Sequence, residues 1–278
     1  MLKGIIVKNI SNSYTVLSEK KLYECIPRGR FRKEKKTPLV GDKCLFDEKN
    51  CYILELLERK NELKRPNVAN IDICLIVTAL KSPRLNTLLL DKEISLAILS
   101  NVEPVLCFTK LDLLNENEKK EYEQIKKIYE QIGFKVFENN ETSKLKEFLK
   151  NKIVVLTGQT GAGKSTLINK LAPHLQVKTN EISLALNRGK HTTRHTEIYD
   201  LEGIGLCDTP GFSSLELKEY SKEQIRNSFP EFKKYSCRFN DCMHLKEKEC
   251  GVKEALLENK IAPSRYENYQ KMLSEESK

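Results

Sequence analysis

Eight consecutive residues, Gly158-Gln159-Thr160-Gly161-Ala162-Gly163-Lys164-Ser165, match the spacing G-x-x-x-x-G-K-[ST]. Glycines at these intervals let successive backbone N–H groups curl around phosphate oxygens, and a helix starting there adds its positive end. In that setting Lys164 reaches the β- and γ-phosphates of a nucleotide, and the Ser165 hydroxyl ligates Mg²⁺. Thr166 follows in the same turn. The flanks suit the chemistry: KIVVLT leads in with strand character and STLINKLA leads out with helical character. Further on, an apolar run at residues 204–206 ends in Asp208-Thr209-Pro210-Gly211. An Asp at such a strand end holds Mg²⁺ through water, and the Gly211 N–H can meet the γ-phosphate.

A candidate base-reading motif lies upstream. Thr109-Lys110-Leu111-Asp112 closes the apolar run 102–108. A carboxylate there accepts hydrogen bonds from both N1–H and the 2-amino group of guanine. Adenine lacks that pair of donors, so a buried Asp112 would stand unpaired against ATP. The stem of Lys110 can cover the base. The order is unusual, because Asp112 precedes Gly158 by 46 residues. In ordinary GTPases the phosphate loop comes first. A circular permutation accounts for this, since the strands of one sheet can be joined in another order. The third base-contacting loop would then fall at residues 138–143, where no S-A-K pattern stands.

Between the phosphate loop and Asp208 lies Asn187-Arg188-Gly189-Lys190-His191-Thr192-Thr193-Arg194-His195. A switch segment needs a threonine for Mg²⁺ and the γ-phosphate, and Thr192 or Thr193 can serve. Phe212 occupies the place where many GTPases carry a water-orienting Gln. Slow intrinsic hydrolysis, accelerated by a partner, is the expectation. His191 is the candidate for positioning the water.

Cys237, Cys242, His244 and Cys250 offer three thiolates and one imidazole within 14 residues. That set matches a closed, structural tetrahedral Zn²⁺ site. Cys25, Cys44, Cys51, Cys74, Cys107 and Cys207 lack ligand spacing and read mostly as small core residues.

These clusters need elements to hold them. Residues 1–65 alternate five short strand-like runs (4–7, 14–17, 22–26, 43–46 and 52–57) with turn signals, which predicts a small closed barrel of the OB type. The formal net charge is +9, and residues 1–65 hold 16 Lys/Arg against 9 Asp/Glu. Arg28, Arg30, Arg32, Lys33, Lys35 and Lys36 crowd one loop of that barrel, as suits RNA. Phe31 among them could stack on a base. Residues 64–67 (Lys-Arg-Pro-Asn) suggest a linker. Strand-like runs at 71–80, 102–108, 134–137 and 153–156 then alternate with helical runs at 85–99, 116–132 and 144–149, predicting a parallel α/β sheet. The tail from residue 262 reads as helix. The implied domains are 1–65, 66–215 and 216–278. No stretch has the composition of an export signal or a membrane span, so a cytoplasmic monomer with reduced thiols is expected.

Taken together, the barrel, TKLD ahead of GQTGAGKST, GKHTT, DTPGF and C-x4-C-x-H-x5-C resemble the ribosome small-subunit-dependent GTPase A family over essentially the whole chain. The resemblance implies a circularly permuted P-loop GTPase domain between an N-terminal OB-like barrel and a C-terminal helical zinc-binding domain. It implies a bacterial GTPase acting late in small-subunit maturation, stimulated by that subunit and its rRNA, and helping assembly factors leave. Thr109 departs from the commoner Asn. Other readings are a P-loop ATPase or kinase, a translation-cycle GTPase, and an RNA-binding module with a degenerate nucleotide site.

Overall fold

Alternating apolar residues over the first 56 positions build a five-stranded barrel. The computed structural model describes residues 1–29, 31, 36–64, 67–173, 196–207 and 217–275. In it β1 (Leu2–Ile10), β2 (Ser13–Ser18), β3 (Lys21–Pro27), β4 (Lys43–Asp47) and β5 (Tyr52–Leu56) run in the order β1-β2-β3-β5-β4. β4 pairs back onto β1, which closes the ring. β3 and β5 are parallel and the other neighbours antiparallel. Ile6, Val16, Cys25, Cys44, Phe46 and Ile53 fill the interior. The barrel is thus a packed core and not a pore, as in the OB fold.

Two short strands flank the expected linker. β6 (Glu62–Lys64) and β7 (Asn67–Ala69) pair antiparallel. Leu63 and Val68 are buried, and Val40 bridges to Val68. Strands of three residues carry too little alternation to be seen in sequence. The Arg59 guanidinium donates two 2.7 Å hydrogen bonds to the fully buried Asp42 carboxylate, locking this connection to the barrel.

A second sheet follows. β8 (Ile73–Ala79), β9 (Glu103–Thr109), β10 (Lys135–Glu138), β11 (Ile153–Thr157), β12 (Thr196–Leu201) and β13 (Ile204–Cys207) lie in the order β10-β9-β8-β11-β13-β12. All seven residues of β8 are buried, as a strand covered on both faces requires. Cys74 and Ile76 point into a cluster with α1 (Thr87–Leu99) and α2 (Glu116–Ile132). Ile73, Leu75 and Val77 point the other way, toward α3 (Thr142–Leu149) and α4 (Lys164–Leu171). The expected all-parallel sheet is mixed at one edge, where β12 runs antiparallel to β13. Glu202 (φ 53°) and Gly203 (φ 90°) form the two-residue turn that imposes this.

β1 is long enough to serve both sheets. Its first half closes the barrel on β4, while Lys8 and Asn9 pair with Glu197 and Thr196 of β12. The barrel strands and the α/β strands therefore form one continuous 11-stranded sheet. A Lys8–Glu197 ion pair of 2.9 Å reinforces the junction.

The C-terminal region carries α5 (Lys222–Asn227), α6 (Gly251–Leu257) and α7 (Pro263–Glu275). The Ser221–Gln224 capping box starts α5 by satisfying its first backbone donors. α7 packs on α1 through a buried polar knot. Arg265, 1% exposed, donates to Glu231 (2.7 Å) and to Asp91 (2.5 Å). Tyr129 and Asn268 donate to the same Asp91 carboxylate at 2.8 and 2.7 Å. Burial works against the Arg265 cation, but Asp91 and Glu231 outweigh it and hold the guanidinium charged. Among the described residues, no helix is long and apolar enough to cross a membrane.

Candidate nucleotide site and metal centre

The phosphate loop joins β11 to α4 on the edge where β8, β9 and β10 also end. Gly158, at φ 127°, passes so close to β8 that a Cβ there would fall 1.9 Å from the Val77 carbonyl oxygen. Only glycine fits, so the sequence pattern has a steric cause as well as a chemical one. Lys164 folds over the loop and donates to the carbonyls of Gly158 (2.5 Å) and Gln159 (2.9 Å). Two of its three protons are thereby used to fix the ammonium in place. Burial lowers the Lys164 pKa, and the nearby Glu93 carboxylate opposes that shift.

The upstream motif arrives at the same place. The Thr109 hydroxyl donates 2.6 Å to the Ala162 carbonyl. Lys110, in the left-handed region at φ 62°, turns the chain and directs its ammonium to the Ser82 carbonyl. Lys110, Thr160, Gly161, Gly163, Lys164, Ser165 and Thr166 line one cavity of about 360 Å³. Leu111 and Asp112 follow on the short 3-10 turn Leu111–Leu113. Asp112 was expected to be buried, and it is exposed. Its carboxylate stands on a surface turn. Residues 139–141 connect β10 to α3 beside this turn, and the Asn139 N–H bonds the Phe108 carbonyl at 3.0 Å. Residues 139–141 therefore lie at the sheet edge where β9 ends.

His191, Thr192, Thr193, Asp208 and Gly211 lie outside the described residues. So do Arg30, Arg32, Lys33 and Lys35, whereas Arg28 and Lys36 are exposed between β3 and β4. Phe31 does not serve as a stacking platform. It is 4% exposed and belongs to the hydrophobic core, because its ring contributes more by leaving water than by facing it. The sequence reading also missed Glu93, buried on α1, which accepts a 3.0 Å hydrogen bond from the Thr157 hydroxyl at the start of the loop. A lone Glu on an apolar helix gives no signal of such a role.

The ligand atoms of Cys237, Cys242, His244 and Cys250 all lie within 4.8 Å of one another. The His244 Nδ1 is 3.4 Å from the Cys237 Sγ and 3.3 Å from the Cys250 Sγ, and the two sulfurs are 3.7 Å apart. A tetrahedron with Zn–S bonds of about 2.3 Å has edges of about 3.8 Å, so the donor set fits Zn²⁺ in chemistry, and Cys237, His244 and Cys250 are spaced close to such edges. Burial lowers the His244 pKa, which favours the neutral imidazole that ligates. α7 supports the loop from behind: Tyr266 donates to the His244 carbonyl (2.5 Å) and Tyr269 to that of Met243 (2.6 Å). Of the other thiols, Cys25, Cys44, Cys74, Cys107 and Cys207 are buried as expected, and Cys51 is half-buried.

Two family models match the chain, one described as RsgA N-terminal domain over residues 3–52 and one as RsgA GTPase over residues 56–218. The chain belongs to the RsgA GTPase family. Members of the RsgA GTPase family with curated descriptions agree over nearly full length. The small ribosomal subunit biogenesis GTPase RsgA of Enterococcus faecalis is 43% identical, with 99% of this chain and 95% of that protein covered. The small ribosomal subunit biogenesis GTPase RsgA 1 of Listeria monocytogenes is 44% identical, covering 99% and 97%. Among solved structures, YjeQ from Thermotoga maritima matches with a TM-score of 0.85 at 34% identity, covering 99% of this chain and 98% of that one. YloQ, described as a circularly permuted GTPase, matches with a TM-score of 0.85 at 32% identity, covering 100% and 95%. The RsgA fold is therefore that of a permuted GTPase carrying an OB-like barrel at one end and a helical Cys₃His region at the other.

Proposed function

We propose that this chain hydrolyses GTP on the small ribosomal subunit and assists its late maturation. The observation that carries the reading is the shared cavity, in which Lys110 of the guanine motif and Lys164 of the phosphate motif face one space. The chain's relatives in Enterococcus faecalis and Listeria monocytogenes are small ribosomal subunit biogenesis GTPases. Thr109 to Asp112 would take the base, and Gly158 to Thr166 the phosphates. Ser165, Thr192 or Thr193, Asp208 and Gly211 would hold Mg²⁺ and the γ-phosphate. Bound Mg²⁺ would neutralise charge on the β- and γ-phosphates. His191 would orient the attacking water, and the subunit would raise a slow intrinsic rate and so time the departure of assembly factors.

The basic residues Arg28, Arg30, Arg32, Lys33, Lys35 and Lys36 would hold rRNA, and Cys237, Cys242, His244 and Cys250 one structural Zn²⁺. The working boundaries are 1–65, 66–215 and 216–278, in a cytoplasmic monomer. GTP hydrolysis measured with and without purified small and large ribosomal subunits tests the reading. Strong stimulation by the small subunit supports it. Stimulation by the large subunit alone, or no turnover with either, overturns it.

A further inference from the structure

The phosphate loop has a buried acid beneath it. Glu93 is 7% exposed, on a helix face where apolar side chains surround it. Its carboxylate accepts from the Thr157 hydroxyl at 3.0 Å and from the Gly158 backbone N–H, so it grips the last strand residue and the first loop residue together. Among the described residues, the charged group it faces is Lys164 on α4, and from β8 it faces the Cys74 thiol, which burial keeps neutral. Two residues earlier on the same helix, Asp91 is tied to Arg265 and Asn268 of α7. The helix that bears Glu93 is therefore anchored from behind, and the bonds from Thr157 and Gly158 hold the carboxylate under the loop.

A carboxylate is an unexpected neighbour for a cradle meant for phosphate. Without nucleotide it offsets the Lys164 charge. When phosphate oxygens arrive at that ammonium, the compensation is lost and two negative groups share one cation in a partly dry site. The least costly response is protonation. We propose that Glu93 is a positioning residue for the phosphate loop whose carboxylate gains a proton when a guanine nucleotide binds. The neutral acid keeps its acceptor bonds to Thr157 and Gly158 while ceding Lys164 to the phosphates. Burial already pushes the Glu93 pKa up to about 7, so little further shift is needed near neutral pH. This rests on the nucleotide site argued above.

Linkage gives the sign. A group that binds a proton with the nucleotide makes affinity fall as pH rises through and above its pKa in the nucleotide-free protein. One such group limits the slope to about tenfold in affinity per pH unit. Fluorescent GDP would be titrated into the full-length protein and its Glu93→Gln variant from pH 6.5 to 8.5, so that the nucleotide's own titration cancels between them. Calorimetry in two buffers of different ionisation enthalpy would count protons. The wild type should lose affinity with pH relative to Glu93→Gln, diverging by about tenfold at the alkaline end, and should take up a proton that the variant does not. Parallel profiles and equal proton counts would overturn the inference. Should Glu93→Gln fail to fold, the wild type is read at pH 8, where the nucleotide phosphate is already ionised: zero proton uptake overturns the inference equally, and net uptake with the predicted pH slope supports it. Absence of GDP binding to the wild type at every pH would instead remove the nucleotide site itself.

Discussion

The hydroxyl of Thr109 donates 2.6 Å to the carbonyl oxygen of Ala162, joining positions 53 residues apart. This contact is where the permuted order is reconciled with a single site, since it seats the guanine motif directly on the phosphate loop. Thr109→Val keeps the shape and removes the donor. A buried bond of this kind is worth about 1 kcal/mol, so GDP affinity should fall about fivefold, whereas Thr109→Ser should bind close to the wild type. Fluorescent-nucleotide titration reads both.

Asp112 should decide the base. Two hydrogen bonds from guanine to a carboxylate contribute about 1.5–3 kcal/mol each. Asp112→Ala should reduce the preference for GDP over ADP by about 100-fold or more. Competition between the two nucleotides measures this, and an unchanged ratio would place base selection elsewhere. Exposure of the carboxylate in the described structure predicts little change in thermal stability.

Arg265 holds two buried carboxylates, Asp91 and Glu231, across the contact between α1 and α7. Arg265→Met removes the cation and leaves both acids uncompensated, which should cost about 3–5 kcal/mol in urea unfolding. Burial raises the Asp91 pKa, with the Arg265 charge opposing it most. Without Arg265 the acid should rise further, so the variant should regain part of its stability as pH falls from 8 to 5. A pH-independent deficit would contradict this.

Metal analysis should find one zinc per chain. A chelator or Cys242→Ser should loosen residues 237–275 in hydrogen exchange, since the Cys₃His loop rests on a few polar contacts, among them those from the tyrosines of α7. Protection of β8 and β9 should persist, because their burial does not depend on the metal. Equal loss in those strands would mean that the cluster supports the whole fold.

Local patterns carried much of this molecule. The barrel strands, the buried run at β8, the amphipathic α2 and the strand–loop–helix around residues 158–165 were legible because each has its own periodicity or spacing. What escaped depended on the partner. The 62–64/67–69 ribbon around the expected 64–67 linker went unseen, since its pairing is stabilised by Leu63 and Val68 entering a core formed by distant residues. Phe31 sits among charges in sequence yet inside the core in space. Glu93 and Arg265 look like ordinary helix-surface residues until α1, α7 and the phosphate loop are brought together. Long-range polar contacts leave no periodic trace.

The pairing of β1 with β12 has a further consequence. Without residues 1–10, β12 would be the outer strand of the α/β sheet, with its backbone donors and acceptors turned to water and ready to recruit a second chain. The barrel therefore shields a seam that would otherwise invite self-association. Cutting the protein at the end of the barrel would not release a self-sufficient catalytic half, but a fragment with a raw edge.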